Sequence, residues 1–207
     1  ILVLKLCGMT WFDALCHAMS ACGTCGFSTK NLSIGWFNSS LIEMVLVVIM
    51  AISGIHFGLI FATLTRKNNN IFRSEITRTY FGVICFTTLV IGCSLWIADV
   101  YPSIFESMRK ALFHTVSFIT TQFSTEAVGY TVTWRNTWTS VAILLLTFCS
   151  IVCACAGSTS GGLKMDRLLL SVKTLRNRLR QQQHPNAIIR TKVDGVPQDK
   201  DMLNGVM

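Results

Sequence analysis

The sequence predicts an all-α polytopic membrane protein, made of repeated units of helix, re-entrant helix, loop and helix, with the set incomplete. Three observations predict this fold class. Hydrophobic residues make up 51% of the 207 residues and charged residues only 14%, with a mean hydropathy of +0.52. Such a balance is typical of membrane proteins. The chain also contains long apolar runs, and one short pattern occurs twice.

Two apolar runs are long enough to cross a bilayer. The hydrocarbon core is about 30 Å thick and needs about 20 apolar residues of helix, which residues 41–64 and 80–98 each supply. A third run, residues 140–162, is apolar through Ala156 and is then interrupted by AGSTSGG. The opening ILVLKLCGMTW is too short for a span, so we expect the chain to begin inside a helix and to be a fragment.

The chain has a net charge of +8, and most of its basic residues lie in two clusters. One basic cluster follows the first full span and the other follows the third apolar run, whereas the remaining connections carry mixed charge. The positive-inside rule makes both clusters cytoplasmic, which puts the stretch ACGTCGFST at residues 21–29 on the outer side. No DNA-reading motif accompanies the basic residues, so we expect contact with anionic lipid and no nucleic-acid partner.

A seven-residue pattern occurs twice. The sequence ALCHAMS at 14–20 resembles ALFHTVS at 111–117, and FST at 27–29 recurs at 123–125, one residue closer to its helix. The segments at 11–21 and 104–119 are too short to cross a bilayer, yet the charge pattern keeps both of their ends outside. We therefore predict two re-entrant helices, with His17 and His114 in packing or hydrogen-bonding roles.

Small and hydroxyl residues follow each re-entrant helix. Non-helical backbone at membrane depth occurs only where protein shields it or where it lines a watery cavity. There, carbonyl oxygens can replace the hydration shell of a cation, and glycine permits the positive φ that aims them. Because the stretch has oxygen ligands but no carboxylate, it favours a monovalent cation over Ca²⁺ or Mg²⁺.

This repeated arrangement resembles the Trk/Ktr/HKT superfamily of potassium transporters, and in particular its bacterial Trk-type membrane subunits. SIGWFNSS at 33–40, CAGSTSGGLK at 155–164 and HPNA at 184–187 carry the resemblance further, in the family's order. It implies four units around one pore. The chain would then hold the end of the second unit (1–67), a cytoplasmic linker (68–78), the third unit (79–180) and a cytoplasmic segment leading to a missing fourth unit (181–207).

The resemblance also implies which residues select the ion. The second-unit and third-unit filter loops would present backbone carbonyls to K⁺, with the ion at Thr24, Cys25, Thr120 and Thr121; the filter residues are Gly23, Thr24, Cys25, Gly26, Thr120, Thr121 and Gln122. The internal alignment places Gln122 where the family has a glycine before the aromatic residue, with one residue missing. Gly129-Tyr130-Thr131 is a displaced alternative that lies farther from its helix. A damaged third filter would weaken K⁺ selectivity.

The interrupted third run has three readings. GSTSGGLK is close to a phosphate-binding loop, but Leu163 separates Gly162 from Lys164 and no Ser or Thr follows the lysine. A helix kink relieved by small residues is a second reading. The resemblance implies a third, an intramembrane loop that obstructs the inner pore and moves during gating, formed by Ala156, Gly157, Ser158, Thr159, Ser160, Gly161 and Gly162.

Nine cysteines could indicate disulfides, but that argument applies to small secreted domains. Cys22 and Cys25 form a CxxC pair, so a membrane thiol oxidoreductase is the alternative function. A closed zinc site needs four ligands, and the sequence offers no second pair at suitable spacing. The second copy of the repeat lacks counterparts of both cysteines, which favours transport over enzymatic activity, with no cofactor and with K⁺ as the transported ion.

Other expectations concern partners and single residues. The resemblance implies a homodimer in the bacterial inner membrane, with its filters facing outside and a cytoplasmic nucleotide-binding regulatory subunit docked near residues 176–183. In the apolar run 41–64, we expect Glu43 to snorkel or to face the membrane interface. His56, which stands between Gly54 and Gly58, should pair across a helix contact.

Overall fold

The computed structural model describes residues 1–65, 71, 74–123 and 138–183, together with the short segments 192–193 and 196–197. Within these residues, eight α-helices, one 3-10 helix and four two-residue strands follow in order: α1 (Leu2–Leu6), α2 (Trp11–Cys22), the 3-10 helix (Ser33–Phe37), α3 (Ser40–Ser53), α4 (Phe57–Leu64), α5 (Glu75–Ile97), α6 (Ile104–Thr120), α7 (Ser140–Ile151), β1 (Val152–Cys153), β2 (Leu163–Lys164), α8 (Met165–Gln183), β3 (Lys192–Val193) and β4 (Val196–Pro197).

Both predicted short helices are present. Helices α2 and α6 each extend one residue beyond the predicted end. At about 1.5 Å per residue, the 12 residues of α2 and the 17 of α6 measure about 18 Å and about 26 Å, less than the bilayer core. Hydroxyl side chains cap both helices, because the Thr10 and Ser103 oxygens accept bonds from the Asp13 and Phe105 amides.

Helix α5 is, in the described part of the chain, the one unbroken helix that is long and apolar enough to span a bilayer. It begins five residues before the predicted start at Tyr80. The predicted span at 41–64 is not one continuous helix, because α3 and α4 are separate helices that meet at 93°. Together they are long and apolar enough for one broken span.

The break between α3 and α4 has a local cause. A Cβ atom at Gly54 would lie 2.4 Å from the Tyr80 hydroxyl oxygen and 3.1 Å from a Thr120 methyl carbon. The Tyr80 hydroxyl donates to the Ala51 carbonyl at 3.3 Å, and the Cys155 amide donates to the Gly54 carbonyl at 3.1 Å. Carbonyls at the end of a helix lack partners within the helix, so these donors from outside stabilise the end of α3.

The third apolar run is also broken. Helix α7 ends at Ile151, five residues before the predicted break after Ala156, and the chain then forms a loop rather than a kinked helix. Strands β1 and β2 pair in parallel, with Val152 opposite Leu163 and Cys153 opposite Lys164. This pair closes the base of the loop, and α8 begins at once beyond it.

Helix α6 lies at the centre of the packing, in contact with α3, α5 and α7. Tyr80, Phe113 and Phe123 are among the largest fully buried side chains. On the outside, α3, α5 and α7 expose large apolar side chains such as Val48, Phe86 and Leu144. Contiguous exposed apolar surface is rare in soluble monomers, so these faces fit contact with lipid or with further protein.

Several predicted features lie outside the described residues. They are the second-copy Ser124 and Thr125, the displaced filter candidate Gly129-Tyr130-Thr131, the HPNA stretch at 184–187 and residues 68–70 and 72–73 of the linker.

Candidate ion pathway

The stretch after α2 is held by two side chains of that helix. The Nδ1 atom of His17 lies 2.7 Å from the Asp13 carbonyl oxygen, which can only accept, so Nδ1 carries the proton. In the neutral imidazole, Nε2 then accepts from the Ser28 hydroxyl at 2.9 Å. The Thr29 hydroxyl donates to the Asp13 carboxylate. The predicted hydrogen-bonding role of His17 is confirmed, and the repeated His and FST residues contact one another in the first copy.

Asp13 stays ionised although its side chain is buried. The Thr29 hydroxyl, which donates to the carboxylate, lowers the pKa of Asp13, and the Thr10 hydroxyl and Lys30 lower it further, against the opposing effect of burial. The Lys30 ammonium lies 3.6 Å from the carboxylate and 4.5 Å from the centre of the Trp36 ring. This cluster joins the start of α2 to the connection that leads into α3.

The two predicted filter loops share an unusual backbone. Thr24 and Thr121 both have left-handed conformations, with φ of 51° and 56°. A β-branched residue rarely adopts this region, and such strain is most common at functional sites. In each loop the next amide reaches back five residues: Cys25 donates to the Ser20 carbonyl at 3.0 Å and Gln122 to the Ser117 carbonyl at 2.9 Å.

This hydrogen-bond pattern revises the internal alignment. Counted from the serine carbonyl that its amide bonds, Gln122 occupies the position of Cys25, whereas the sequence comparison placed it at the glycine. The residue missing from the third-unit loop is therefore the counterpart of Gly26, and the chain passes directly from Gln122 to Phe123. In this internal comparison, the third-unit loop has no counterpart of Gly26.

The two filter loops lie against each other. Gly26 has a φ of 74°, and a Cβ atom there would lie 2.9 Å from the Gln122 carbonyl oxygen. The Thr121 hydroxyl donates to the Thr24 carbonyl at 3.5 Å. The Gln122 side-chain amide donates to the Ser53 hydroxyl at 3.4 Å, at the end of α3. The structure thus brings residues of both predicted filters together.

Other predicted filter residues have supporting positions. Gly23 caps the end of α2 through its amide, and its carbonyl accepts the Cys25 thiol at 3.4 Å. The Thr120 hydroxyl is occupied within α6, because it donates to the Val116 carbonyl at 2.8 Å.

The aromatic residues after the two filters differ in environment. Phe123 is buried, and its ring centre lies 5.5 Å from that of His17 in the other unit. Phe27 is 80% exposed and borders an open cavity lined by Cys16, Met19 and Cys25. The expected packing role of His114 is confirmed, since its buried ring stacks edge-on against Trp138 at 4.8 Å.

The predicted intramembrane loop (156–162) contacts the second-unit filter residue Thr24 and the end of α6. The Thr24 hydroxyl donates to the Thr159 hydroxyl at 3.0 Å, and Thr159 donates in turn to the Cys22 carbonyl at 3.4 Å. The Ser160 hydroxyl donates to the Ile119 carbonyl at 3.2 Å. The tip of the loop therefore lies against the ends of both short helices, where the filters begin.

The same loop contacts the break between α3 and α4. His56 caps α4, because its Nδ1 accepts from the Gly58 amide at 2.9 Å. Its Nε2 would lie 2.8 Å from a Cβ atom at Gly157, and the Phe57 amide donates to the Gly157 carbonyl at 3.4 Å. The expectation that His56 pairs across a helix contact is wrong, because its ring packs on the loop. Gly157 (φ 75°) leaves the space that the ring occupies.

Lys164 binds its own loop. Its ammonium donates to the Ser158 carbonyl at 2.9 Å and to the Ser160 carbonyl at 2.5 Å. In a phosphate-binding loop the lysine would instead extend toward an anion. The ammonium here binds carbonyl oxygens, which argues against the phosphate-binding reading.

A buried charge cluster was missed by sequence reasoning. Glu43 is buried, and its carboxylate lies 3.0 Å from the Lys110 ammonium and 3.5 Å from Nε of Arg109. The expectation that Glu43 snorkels or faces the interface is wrong, because two cations of α6 pair with it inside the protein. The signal was available: an acid in an apolar helix requires a partner, and Arg109-Lys110 is a basic pair within a re-entrant helix.

The cysteine pair shows no redox or metal arrangement. Cys22 and Cys25 are exposed free thiols. Across the described residues, no group of three or more His, Cys, Asp or Glu side chains is placed to hold a metal ion. The thiol oxidoreductase alternative has no support in this geometry.

Comparison with known proteins gives consistent results. A family model described as TrkH, cation transport protein, matches residues 7–206. The chain is 35% identical over 195 residues to the Trk system potassium uptake protein TrkH of Escherichia coli (strain K12), and 34% identical over 195 residues to the protein of that name from Salmonella typhimurium. Each match covers 93% of this chain and 39% of the relative, so the chain spans about two fifths of these proteins.

A solved structure is also similar. The crystal structure of the potassium transporter TrkH from Vibrio parahaemolyticus matches with a TM-score of 0.89 and 31% sequence identity. The match covers 99% of this chain and 43% of that one.

Proposed function

This chain belongs to the TrkH family of cation transport proteins, and we propose that it supplies two re-entrant units of a potassium uptake pathway. Backbone carbonyls of the two filter loops replace the hydration shell of K⁺. No covalent chemistry is involved, and K⁺ is the transported ion. The similar proteins named as potassium uptake proteins support this choice of ion.

One observation carries the proposal: the shared left-handed backbone at Thr24 and Thr121. Each threonine lies at or just after the end of a re-entrant helix. The amide of the residue after it donates a hydrogen bond to the carbonyl five residues before that residue, which holds the threonine in place. A strained conformation persists only where its surroundings enforce it. Its presence at matching positions in two units indicates a common role. We propose that this role is to point backbone carbonyl oxygens toward the ion. The ion ligands we propose are the backbone oxygens at Thr24, Cys25, Thr120 and Thr121.

The pathway requires further units to be complete. Phe123 of the third unit is buried beside His17 of the second unit, whereas the equivalent Phe27 is exposed beside an open cavity. We propose that another unit of the same kind covers Phe27 as the second unit covers Phe123. The 39% share of the relatives' length leaves room for such units.

The intramembrane loop is the proposed gate. Thr159 and Ser160 bond to the ends of both short helices, which supports a position for the loop on the path of ions that leave the filters. A loop anchored by a few hydrogen bonds can move without unfolding the helices around it. Removing several residues of 156–162 should therefore increase ion flux.

The environment and the partners are proposed on similar grounds. The exposed apolar faces of α3, α5 and α7 fit a lipid bilayer of the bacterial inner membrane. The positive-inside rule then turns the filter loops outward. The end of α8 exposes Arg176, Arg178 and Arg180, a surface suited to the cytoplasmic nucleotide-binding regulatory subunit of a homodimeric complex.

Growth under potassium limitation tests the function. The full-length protein that carries this sequence is expressed in a bacterial strain without its own potassium uptake systems. We expect rescue of growth at limiting external K⁺, and we expect the double variant Cys22→Ser, Cys25→Ser to rescue equally, because neither thiol is needed for carbonyl ligation. Absence of rescue by a protein that reaches the membrane, or rescue that depends on both thiols, would contradict the proposal.

A further inference from the structure

Lys164 is the residue whose position the proposed pathway does not explain. It stands in β2, opposite Cys153 of β1, at the base of the intramembrane loop. Its side chain turns into the loop, where the ammonium donates to the carbonyls of Ser158 and Ser160. No ion pair of Lys164 with a carboxylate occurs in the described part of the chain, where the ion pairs join other residues.

The contact has the chemistry of a cation site. A lysine ammonium is a compact single charge with three donors, and backbone carbonyl oxygens are the ligands that a potassium filter offers to its ion. The Ser158 and Ser160 carbonyls therefore face the ammonium as they would face a monovalent metal ion. The positive charge differs from a diffusing ion only because the side chain tethers it to the base of the loop.

We propose that the Ser158 and Ser160 carbonyls form a monovalent cation site that the Lys164 ammonium occupies in the closed loop, and that a permeating ion displaces the ammonium. This inference rests on the proposed function and names a regulator of the same gate. While the ammonium is bound, the loop is fixed at its tip and at its base. Once a K⁺ ion binds these two carbonyl oxygens, the Lys164 side chain no longer holds the loop.

Hydrogen bonds connect this site to the filters. Ser160 donates to the Ile119 carbonyl at the end of α6. Thr159 lies between the two carbonyl ligands in the chain, and its hydroxyl accepts from Thr24 of the second-unit filter. An ion that arrives from this filter would approach the ammonium closely, and two like charges repel strongly where water is scarce. Ion occupancy and release of the loop would therefore be coupled.

A charge-removal variant tests the site in the full-length protein, reconstituted into liposomes. Lys164→Met keeps the length of the side chain and removes the ammonium. The matched control is Lys173→Met, because the Lys173 ammonium pairs with the Glu75 carboxylate on α5. We expect K164M to take up radioactive Rb⁺ about tenfold faster than wild type at limiting K⁺. The loss of one charge-assisted hydrogen bond changes an equilibrium by about this factor. K173M should remain within about twofold of wild type.

A second measurement uses the wild-type protein alone, in case K164M does not fold. Amide hydrogen exchange in peptides that cover 154–162 should become faster when K⁺ replaces choline, because the displaced ammonium no longer holds the loop. Equal exchange in K⁺ and choline overturns the proposal. So does K164M uptake that is equal to or below that of wild type in a monodisperse preparation. If wild type takes up no Rb⁺ at all, the proposed function fails, whereas normal wild-type uptake with unchanged K164M uptake defeats this inference alone.

Discussion

Glu43 shows how single residues set the distance between the two units. Its carboxylate, on α3 of the second unit, pairs with Lys110 and Arg109 on the re-entrant helix of the third unit. The three side chains are only 5%, 13% and 16% exposed. Removing one partner from a buried pair leaves the others desolvated without compensation. We therefore infer that Glu43 fixes α6 against α3 and stabilises the position of the third filter loop.

The variant Glu43→Gln should lower the free energy of unfolding by about 3–5 kcal/mol, because it keeps the shape of the side chain but removes the buried anion that Lys110 and Arg109 share. Thermal unfolding of the purified protein in detergent measures this change. Glu106→Gln is the matched control: Glu106 is 38% exposed and contacts Arg109 at 3.8 Å, so we expect a loss of about 0–1 kcal/mol. Equal losses in the two variants would show that Glu43 does not hold the units together.

Sequence reasoning succeeded at the residue scale where partners are close along the chain. His17 and the FST stretch lie within one repeat, and the duplication marked both. It failed for Glu43, whose partners are 66 and 67 positions away and become neighbours only when α3 packs on α6. It also failed for Lys164, because a phosphate-binding pattern gave no reason to expect a bond to the carbonyls of the same loop.

At the scale of elements, the intramembrane loop is supported from three sides. Its base is the β1–β2 pair, its tip bonds to the ends of α2 and α6, and its first turn packs on His56 at the break of α3 and α4. The break between α3 and α4 and the break after α7 are therefore in contact through this loop. Glycine makes this possible at Gly157, where positive φ and the His56 ring exclude a side chain.

Two glycines of the loop give opposite predictions. Gly157→Ala should increase Rb⁺ uptake at limiting K⁺, because the new methyl group displaces the loop from His56, 2.8 Å away, and strains a residue with a φ of 75°. Gly161→Ala should leave uptake unchanged, since nothing lies within 4 Å of its Cβ position and its φ is not positive. Similar uptake by both variants would indicate that the contact with His56 does not control the loop.

Sequence patterns predicted the type of most elements but not where the helices break. The lengths of α2 and α6 followed from their apolar patterns within one residue. The end of α3 did not, because residues 41–64 are apolar throughout and its end is stabilised by Tyr80 and Cys155 from elsewhere in the chain. Helix α7 likewise stops at Ile151 within an apolar run, where β1 pairs with a strand beyond the loop.

For the whole molecule, the central feature is the convergence of two filter loops and one intramembrane loop. Gly26 touches the Gln122 backbone, Thr121 bonds to Thr24, and Thr24 bonds to Thr159. The sequence duplication predicted that the two loops are equivalent. It did not predict their direct contact, because this contact depends on how the units pack together.

The most direct test of the proposed pathway compares two glycine variants of the full-length protein by uptake of radioactive Rb⁺ into liposomes. Gly26→Ala adds a methyl group at a φ of 74°, 2.9 Å from the Gln122 carbonyl oxygen, whereas Gly82→Ala in α5 meets nothing within 4 Å. We predict that G26A loses about tenfold or more of the uptake rate, because a left-handed alanine and the clash together cost over 1 kcal/mol, while G82A matches wild type. Wild-type uptake by a correctly folded G26A protein would contradict the assignment of this loop as the filter.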